Sequence, residues 1–149
     1  GIRFLDKLER SKGEEYMFPH VRKAITDAWR RAGIGGVESL DGIETHDCFT
    51  STEYMAIDHF GLTPPGQSWQ AIDSGLVEFD GRCPVNASGG LIGVGHPVGA
   101  TGARLLLDAG RQVTGTAGDY QVNGARTYGT LNIGGSLGTV VSFVVGLRD

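Results

Sequence analysis

The sequence predicts an α/β domain, in which helices and strands alternate along the chain and pack in layers. Three patterns indicate this class: an amphipathic helical stripe that begins at Pro19, two apolar β segments at residues 126–133 and 139–146, and a glycine-rich segment, residues 86–104, that runs into a second helical pattern. The chain has 149 residues, enough for one domain with its own core. We expect this domain to occupy residues 19–149, with residues 1–18 as a charged surface segment or truncated edge.

The composition excludes several function classes. With 40% hydrophobic and 20% charged residues, the chain is typical of a globular protein rather than a disordered one. A net charge of −4 with dispersed Lys and Arg argues against nucleic acid as the main partner. No apolar run reaches the roughly 18 residues that a membrane-spanning helix needs, so no membrane span is expected. Two cysteines are too few for a disulfide framework, and they favour a reducing compartment, which we expect to be the cytoplasm.

The first helix is predicted to begin at Pro19, because proline suits the first helical position. Apolar residues then recur at helical spacing, and Gly33 stands just past the last of them, where helices commonly end. The stripe consists of Val21, Ala24, Ile25, Ala28, Trp29 and Ala32. We expect this stripe to face the core and the charged residues opposite it to be solvated. His20 and His59 have no partner motif, and both are expected at the surface.

A short strand is expected at residues 43–47, followed by a helix. Thr50-Ser51-Thr52-Glu53 has the form of a capping box, which predicts that a helix begins there. Its inward residues should be Tyr54, Met55, Ile57 and Phe60. His46, Asp47 and Cys48 therefore stand at the C-terminal end of a strand, the edge at which open α/β sheets bind their ligands.

The second half of the chain continues the alternation. Residues 68–74 predict a short helix, residues 82–86 an extended segment, and residues 100–113 a helix with Ala103, Leu106, Leu107 and Ala109 facing inward. Two β segments follow around a glycine-rich turn at residues 134–138. The second is a nearly unbroken Val and Phe run of the kind that is buried on both faces. Because a first strand is missing or poorly matched in residues 1–18, the sheet is expected to carry an exposed edge.

The glycine-rich segment surrounds one histidine, His96, with six glycines. Glycine lets the main chain approach a ligand closely, and histidine titrates nearest to neutrality, so His96 is a candidate for chemistry. The segment is not a phosphate loop, since no Lys-Ser or Lys-Thr follows the glycines. It also lacks the third glycine of a dinucleotide-binding fingerprint at the right spacing.

Three clusters at predicted loop tips, residues 46–49, 86–96 and 132–138, together resemble the C-terminal half of a thiolase. Thiolases make or cleave 3-ketoacyl-CoA. The likeness is carried by Asn86-Ala87-Ser88-Gly89-Gly90 and by Gly95-His96-Pro97-Val98-Gly99-Ala100-Thr101-Gly102. His46-Asp47-Cys48-Phe49 resembles the sterol-carrier branch of the family and its acetyl-CoA acetyltransferase relatives. The resemblance implies a mixed central sheet flanked by helices.

The resemblance also implies catalytic roles. Cys48 is expected to be the acid/base, since the Cys-x-Gly of most thiolases is replaced here by Asn132-Ile133-Gly134. His96 is expected to activate the nucleophile and to donate to the enolate or thioester oxygen. His46 would hold a water in the same oxyanion hole. The main-chain N–H of Gly134 would contribute to a second oxyanion hole, and such donors are worth about 10² to 10³ in rate each.

Four further residues are expected near this site on the same grounds. Gly95 and Phe49 would contact the substrate. Asn86 and Asp47 would position the residues that contact the substrate without contacting it themselves.

One part of the family's chemistry has no match in this chain. Thiolases carry the acyl group on a cysteine of their N-terminal half, and Cys83, beside a proline in an extended segment, is expected to be structural. The resemblance therefore implies an acyl-CoA thioester as the substrate, with no further cofactor and no metal. It implies the missing N-terminal half as a partner and a dimer or tetramer of the full protein, acting in lipid metabolism.

Three functions remain open from the sequence. The chain could be the C-terminal domain of a thiolase-type acyl-CoA acyltransferase, a thiolase-like carbon–carbon lyase subunit, or a non-catalytic CoA-binding or dimerisation module. Activity of the chain by itself is also open, because the nucleophile is absent.

Overall fold

The computed structural model describes residues 12–147, in which three strands form the central sheet. Strand β1 (Gly42–Thr45) pairs in parallel with β2 (Thr127–Gly134), and β2 pairs antiparallel with β3 (Thr139–Gly146). On the other side of β1, Ile43 forms a parallel bridge to Val85. The predicted extended segment at 82–86 is therefore a single bridge rather than a strand. The α/β class with a mixed sheet is confirmed.

Helices cover both faces of this sheet. The long helices are α1 (Pro19–Ala32), α2 (Thr50–Phe60) and α5 (Thr101–Thr114), and the short ones are α3 (Ser68–Asp73) and α4 (Gly90–Val94). Single 3₁₀ turns occur at Val37–Ser39 and Gly118–Tyr120. Helix α4 lies inside the glycine-rich segment, where the sequence predicted only turns. The helices of the described part of the chain are too short or too polar to traverse a bilayer.

In helix α1, four residues of the predicted stripe are buried: Val21, Ile25, Ala28 and Trp29. Ala24 is only partly buried and Ala32 is exposed at the end of the helix, where Gly33 takes the left-handed conformation. Its charged face is only partly solvated. Lys23 and Arg30 flank Asp27 in exposed ion pairs, which contribute little to stability. Arg22 instead donates from Nη1 to the carbonyls of His59 and Phe60, at 2.9 and 3.0 Å, and so joins α1 to the end of α2.

The start of α2 differs from the predicted capping box. The helix does begin at Thr50, but the residue before it, Phe49, is the N-cap. The Thr52 hydroxyl donates to the Phe49 carbonyl at 2.6 Å and accepts from the Phe49 N–H at 3.2 Å, so Thr52 takes the role expected of Glu53. Ile57 and Phe60 are buried as predicted, whereas Tyr54 is 39% exposed.

His59 is buried rather than at the surface, with only 1% of its area exposed. Its Nε2 accepts from the Phe18 N–H at 3.1 Å. Its Nδ1 lies 2.8 Å from the Met55 carbonyl, which can only accept, so Nδ1 carries the proton. The ring also stacks on Phe18, at 5.8 Å between centroids. Both nitrogens are satisfied, which is why a polar ring is tolerated in the core.

Strand β3 is exposed on one face, so its predicted burial on both faces is wrong. Val140 and Val144 pack against the α1 core cluster. On the opposite face only Val145 reaches the cluster beneath α5, and Val141 and Phe143 are 40% and 44% exposed. Within residues 12–147, β3 is also the edge of the sheet.

Helix α5 turns a different face inward from the one predicted. Of the four residues expected inside, Ala109 is buried, but Leu107 is 52% exposed. The inward face instead consists of Thr101, Leu105, Asp108, Ala109, Gln112 and Val113. Polar side chains fit there because they find partners. For example, Gln112 donates from Nε2 to the Tyr120 carbonyl at 2.7 Å.

The predicted surface segment 1–18 is only partly covered, because residues 1–11 lie outside the described residues. Residues 12–15 and Met17 are exposed, whereas Phe18 is buried against His59.

His59→Phe tests the buried imidazole. We expect the free energy of unfolding to fall by about 1–3 kcal/mol near neutrality, because the Phe18 N–H loses its acceptor. Burial lowers the pKa of His59 from 6.5, so the native imidazole stabilises the fold above that pH and less so as the pH falls through it. The deficit of the variant should therefore shrink on acidification. Urea unfolding on both sides of pH 6.5 measures this, with the exposed His20→Phe as control. An equal effect of both substitutions would contradict the assignment.

Candidate active site

A cavity of about 520 Å³ opens where β1 ends and the β2–β3 turn begins. It brings together residues from all three loop clusters that the sequence singled out. Its lining consists of His46, Cys48, Phe49, Thr52, His96, Val98, Ile133, Gly134, Gly135, Ser136 and Leu137. Of the predicted site residues, His46, Cys48, Phe49, His96 and Gly134 therefore meet here.

The end of β1 supplies the first group of side chains. All four residues of β1 are buried, and the parallel ladder continues past it, since the His46 N–H donates to the Leu131 carbonyl at 3.0 Å. The chain then leaves the sheet and enters α2. Cys48 is half-buried at this exit, a free thiol with its Sγ 3.8 Å from the Thr52 hydroxyl.

His46 and His96 form a pair of imidazoles, with ring centroids 4.8 Å apart and planes at 86°. His46 is buried, and its Nδ1 has no hydrogen-bond partner among the described residues. Burial lowers the pKa of His46, the neighbouring His96 lowers it further, and Asp47 acts in the opposite direction. A neutral imidazole with an unoccupied nitrogen can accept or donate a bond to a bound water or ligand.

His96 reaches the cavity from the turn between α4 and α5. Its Nδ1 lies 2.6 Å from the buried Thr101 hydroxyl, which itself donates to the Pro97 carbonyl at 3.2 Å. A hydroxyl has one hydrogen, so we infer that Nδ1 of His96 is the donor to Thr101. Nε2 then carries the lone pair that a general base needs.

The β2–β3 turn closes the other side of the cavity. Gly134 ends β2 opposite Thr139, and the Gly138 N–H donates to the Gly135 carbonyl at 3.0 Å. Two non-glycine residues of this turn, Ser136 and Leu137, have positive φ angles of 51° and 69°. Such angles are uncommon outside glycine and disfavoured for a bulky residue.

A buried carboxylate, Glu44, holds the glycine-rich segment against β1. Its two oxygens accept from the main-chain N–H and the hydroxyl of Ser88, at 3.1 and 2.6 Å. Arg104 lies on the far side of Ser88, 3.5 Å from its hydroxyl, and pairs with the buried Asp108 at 3.1 Å. Burial raises the pKa of Glu44 to about 7, although the bonds from Ser88 act against this shift.

Asp47 and Asn86 support the same segment at two other points. Asp47 is buried, and its Oδ1 accepts from the Leu91 N–H at 2.6 Å in the first turn of α4. A Cβ on Gly90 would lie only 2.2 Å from Asp47 Oδ2, so this contact requires glycine. Asn86, at φ 57°, accepts with its Oδ1 from the Thr45 N–H at 2.7 Å. Neither Asp47 nor Asn86 lines the cavity.

Gly95, which is predicted to contact the substrate, is not among the residues that line the cavity. It follows α4 with φ 103°, and its N–H donates to the Leu91 carbonyl at 2.9 Å. The turn it makes brings the next residue, His96, to the cavity.

Sequence reasoning missed Thr101 and Glu44. Thr101 sits inside the quoted motif five residues after His96, but its bond to the imidazole depends on the start of α5. Glu44 stands between Ile43 and Thr45 in a predicted strand, and a carboxylate at such a strand position was the available signal. Among residues 12–147, no cluster of three or more His, Cys, Asp or Glu side chains is arranged to hold a metal ion.

Gly90→Ala and Gly93→Ala form a matched pair within α4. The first adds a Cβ against Asp47 at φ 60°, and we expect it to lower the free energy of unfolding by at least about 1–3 kcal/mol. The second meets nothing within 4 Å and should be neutral or stabilising by up to about 1 kcal/mol. Urea unfolding gives both values, and hydrogen exchange of the Leu91 amide reports its bond to Asp47. Similar stabilities for the two variants would show that the contact between Asp47 and residue 90 does not require glycine.

Glu44→Gln tests the buried carboxylate. The folded state raises the pKa of Glu44 from 4.5 to about 7, so its contribution to stability is present below pH 4.5 and is lost as the pH rises through 7. The uncharged variant should gain roughly 1–3 kcal/mol relative to the native chain across this window. Urea unfolding at several pH values measures the difference in free energy of unfolding between the variant and the native chain. The titration of the histidines contributes equally to both proteins and therefore cancels. The exposed Glu38→Gln is the control, and a pH-independent difference for Glu44→Gln would refute the assignment.

Comparison with known proteins places this geometry in a family. Residues 4–147 match the family model described as thiolase C-terminal domain-like. An acetyl-CoA acetyltransferase of Methanothermobacter thermautotrophicus is 42% identical over 100 residues, which are 67% of this chain and 26% of the relative. Sterol carrier protein 2 of Rattus norvegicus is 36% identical over 129 residues, 86% of this chain and 23% of the relative.

A solved structure, an Ltp2-ChsH2(DUF35) aldolase, shares the fold, with a TM-score of 0.76 and 21% identity over 86% of this chain and 32% of that one. The chain spans about a quarter of the length of the two curated relatives. Since the family match covers almost all of its residues, the chain belongs to the thiolase C-terminal domain-like family.

Proposed function

We propose that the chain supplies the acid/base and oxyanion-stabilising groups of a thiolase-type acyl-CoA acyltransferase. One observation carries the proposal: Cys48, His96 and Gly134, from three distant parts of the chain, line a single cavity. Family membership and the similarity to an acetyl-CoA acetyltransferase support it. The substrate is an acyl-CoA thioester, and the cavity accepts its reacting end.

The reaction needs a base at the α-carbon and donors at the developing oxyanions. In the condensing direction, the Cys48 thiolate takes a proton from the α-carbon of an acyl thioester, and the enolate carbon attacks the acyl group held on the nucleophile. The tetrahedral intermediate then collapses, the carbon–sulfur bond to the nucleophile breaks, and the nucleophile leaves as its thiolate. His96 Nε2 first accepts the proton of that nucleophile and then, as N–H, donates to the enolate or thioester oxygen. His46, whose ring lies edge-on to that of His96, holds a water beside the same oxygen.

Gly134 lies across the cavity from these side chains and provides a main-chain donor for the tetrahedral oxyanion. Preorganised N–H donors are effective there because they need no rearrangement as charge develops. Gly134 and Gly135 also lack side chains that would fill the space the substrate needs.

The nucleophile comes from outside this chain. The chain has two cysteines, and the second, Cys83, is fully buried, with burial raising its pKa to about 11. Such a thiol is a poor nucleophile. We therefore assign the acyl-carrying cysteine to an N-terminal thiolase half, with the full protein acting as a dimer or tetramer in lipid metabolism. Two free thiols favour the cytoplasm as its compartment.

Cys48→Ala, made in the enzyme that combines this domain with the nucleophile half, tests the assignment. We expect kcat for thiolysis of acetoacetyl-CoA to fall by at least about 100-fold, with little change in KM, because the α-carbon loses its acid/base. Loss of the enolate absorbance of acetoacetyl-CoA measures the rate.

Cys83→Ala is the matched control. It removes the other thiol, which lies outside the cavity, and should leave kcat within about twofold even where it lowers stability. Undiminished thiolysis by Cys48→Ala would overturn the proposal. Aldol cleavage without thiolysis in the native enzyme would replace it with the lyase function.

A further inference from the structure

A second cavity, of about 430 Å³, lies directly behind the candidate active site. It is bordered by α2, by the two residues before α1 and by residues 66–68 at the start of α3, and it is open on one side, where Met17 is 53% exposed. Its lining includes Met17, Phe18, Tyr54, Met55, Gly66 and Ser68. Asp58 and His59 also border it, but Asp58 accepts from the Gly66 N–H and His59 has both ring nitrogens satisfied. The space therefore suits an uncharged, apolar group.

The two cavities share part of their wall, since Thr52 and Leu137 line both. Thr52 is fixed in place because its hydroxyl bonds to both main-chain groups of Phe49. It would remain there whatever occupies either cavity. Leu137 is thus the side chain whose size decides whether the cavities are separate.

Leu137 occupies this position against its backbone preference. Its φ of 69° lies in the left-handed region, which is unfavourable for a bulky side chain such as leucine. The imidazole of His20 donates from Nε2 to the Leu137 carbonyl at 3.1 Å and so ties the turn to α1. The Leu137 side chain also packs against the core cluster under α1. Backbone strain of this kind often marks residues that shape a ligand site.

We propose that Leu137 limits the length of the acyl group that this site accepts, by separating the active-site cavity from the apolar cavity behind it. This inference rests on the proposed function, since it takes the acyl tail of a CoA thioester as the occupant. In the native chain the active-site cavity then holds a short acyl group completely, whereas the tail of a longer one binds only in part and stays outside the second cavity. Shortening Leu137 joins the cavities, and the tail of a longer acyl group extends past Thr52 toward Met17 and Met55.

The two methionines make the test direct, because Met17 and Met55 are the only ones in the chain and both line the second cavity. The 149-residue chain is labelled with ¹³C at the methyl groups of methionine and isoleucine. It is then titrated with two non-reactive thioethers, S-butyl-CoA and S-octyl-CoA. Ile133 lines only the active-site cavity and reports binding there.

In the native chain we expect both thioethers to shift the Ile133 signal and neither to shift the methionine signals. In Leu137→Ala, S-octyl-CoA should also shift both methionine signals and should bind roughly tenfold more tightly than to the native chain, because additional methylene groups are buried. Binding of S-butyl-CoA should change by less than about twofold, since its tail ends before the wall.

Leu107→Ala is the matched control. It makes the same substitution at a leucine of α5 that is 52% exposed and lines neither cavity, so the methionine signals should not respond to S-octyl-CoA. Two results would overturn the role of Leu137 while leaving the proposed substrate intact. In one, S-octyl-CoA shifts the methionine signals of the native chain. In the other, it shifts the Ile133 signal of Leu137→Ala but not the methionine signals. Silence of Ile133 together with the methionines would count against both this inference and the proposed substrate.

Discussion

Attachment of the glycine-rich segment to the end of β1 by two buried carboxylates is the constraint on which the site depends. Glu44 accepts two bonds from Ser88, and Asp47 accepts one from the first turn of α4. Burying carboxylates is costly, and it is tolerated here because each one accepts hydrogen bonds from the segment. Of the large apolar side chains in the segment, Leu91 is buried, whereas Ile92, Val94 and Val98 are exposed. These bonds therefore determine where α4 starts and where His96 emerges from it.

Sheet topology determines which other residues His96 meets. Strands β1 and β2 are parallel neighbours, so their C-terminal ends lie side by side at one edge of the sheet. Cys48 follows the first strand and Gly134 ends the second, which brings residues more than 80 positions apart to the same cavity. Helix α5 adds the last element, because Thr101 at its start holds the imidazole of His96 in one orientation. Most of the cavity lining comes from loops, but Thr52 belongs to α2, and Ile133 and Gly134 belong to β2.

The cavity has two kinds of wall, which suits a substrate with a polar reacting end and an apolar remainder. One side presents imidazole, thiol and main-chain groups from His46 to Cys48 and from His96. The other presents Val98, Ile133 and Leu137. Dividing polar from apolar groups in this way orients a ligand without a charged anchor inside the cavity. The turn at Leu137 belongs to the apolar side. Its unfavourable backbone conformation is tolerated there because it positions the Leu137 side chain in the cavity lining.

The sequence by itself determined the periodic elements and the motif positions of this protein. The stripe of α1, the paired segments of β2 and β3, and the three loop clusters followed from local spacing and from motif likeness. Only the tertiary structure decided which face of α5 is buried, why His59 is inside, and how Glu44 is used. Those outcomes depend on hydrogen-bond partners brought from distant parts of the chain. The spacing of apolar residues along the chain predicts which side of a helix or strand is buried. Whether a polar side chain can also be buried depends on hydrogen-bond partners, and these come from parts of the chain that only the fold brings together.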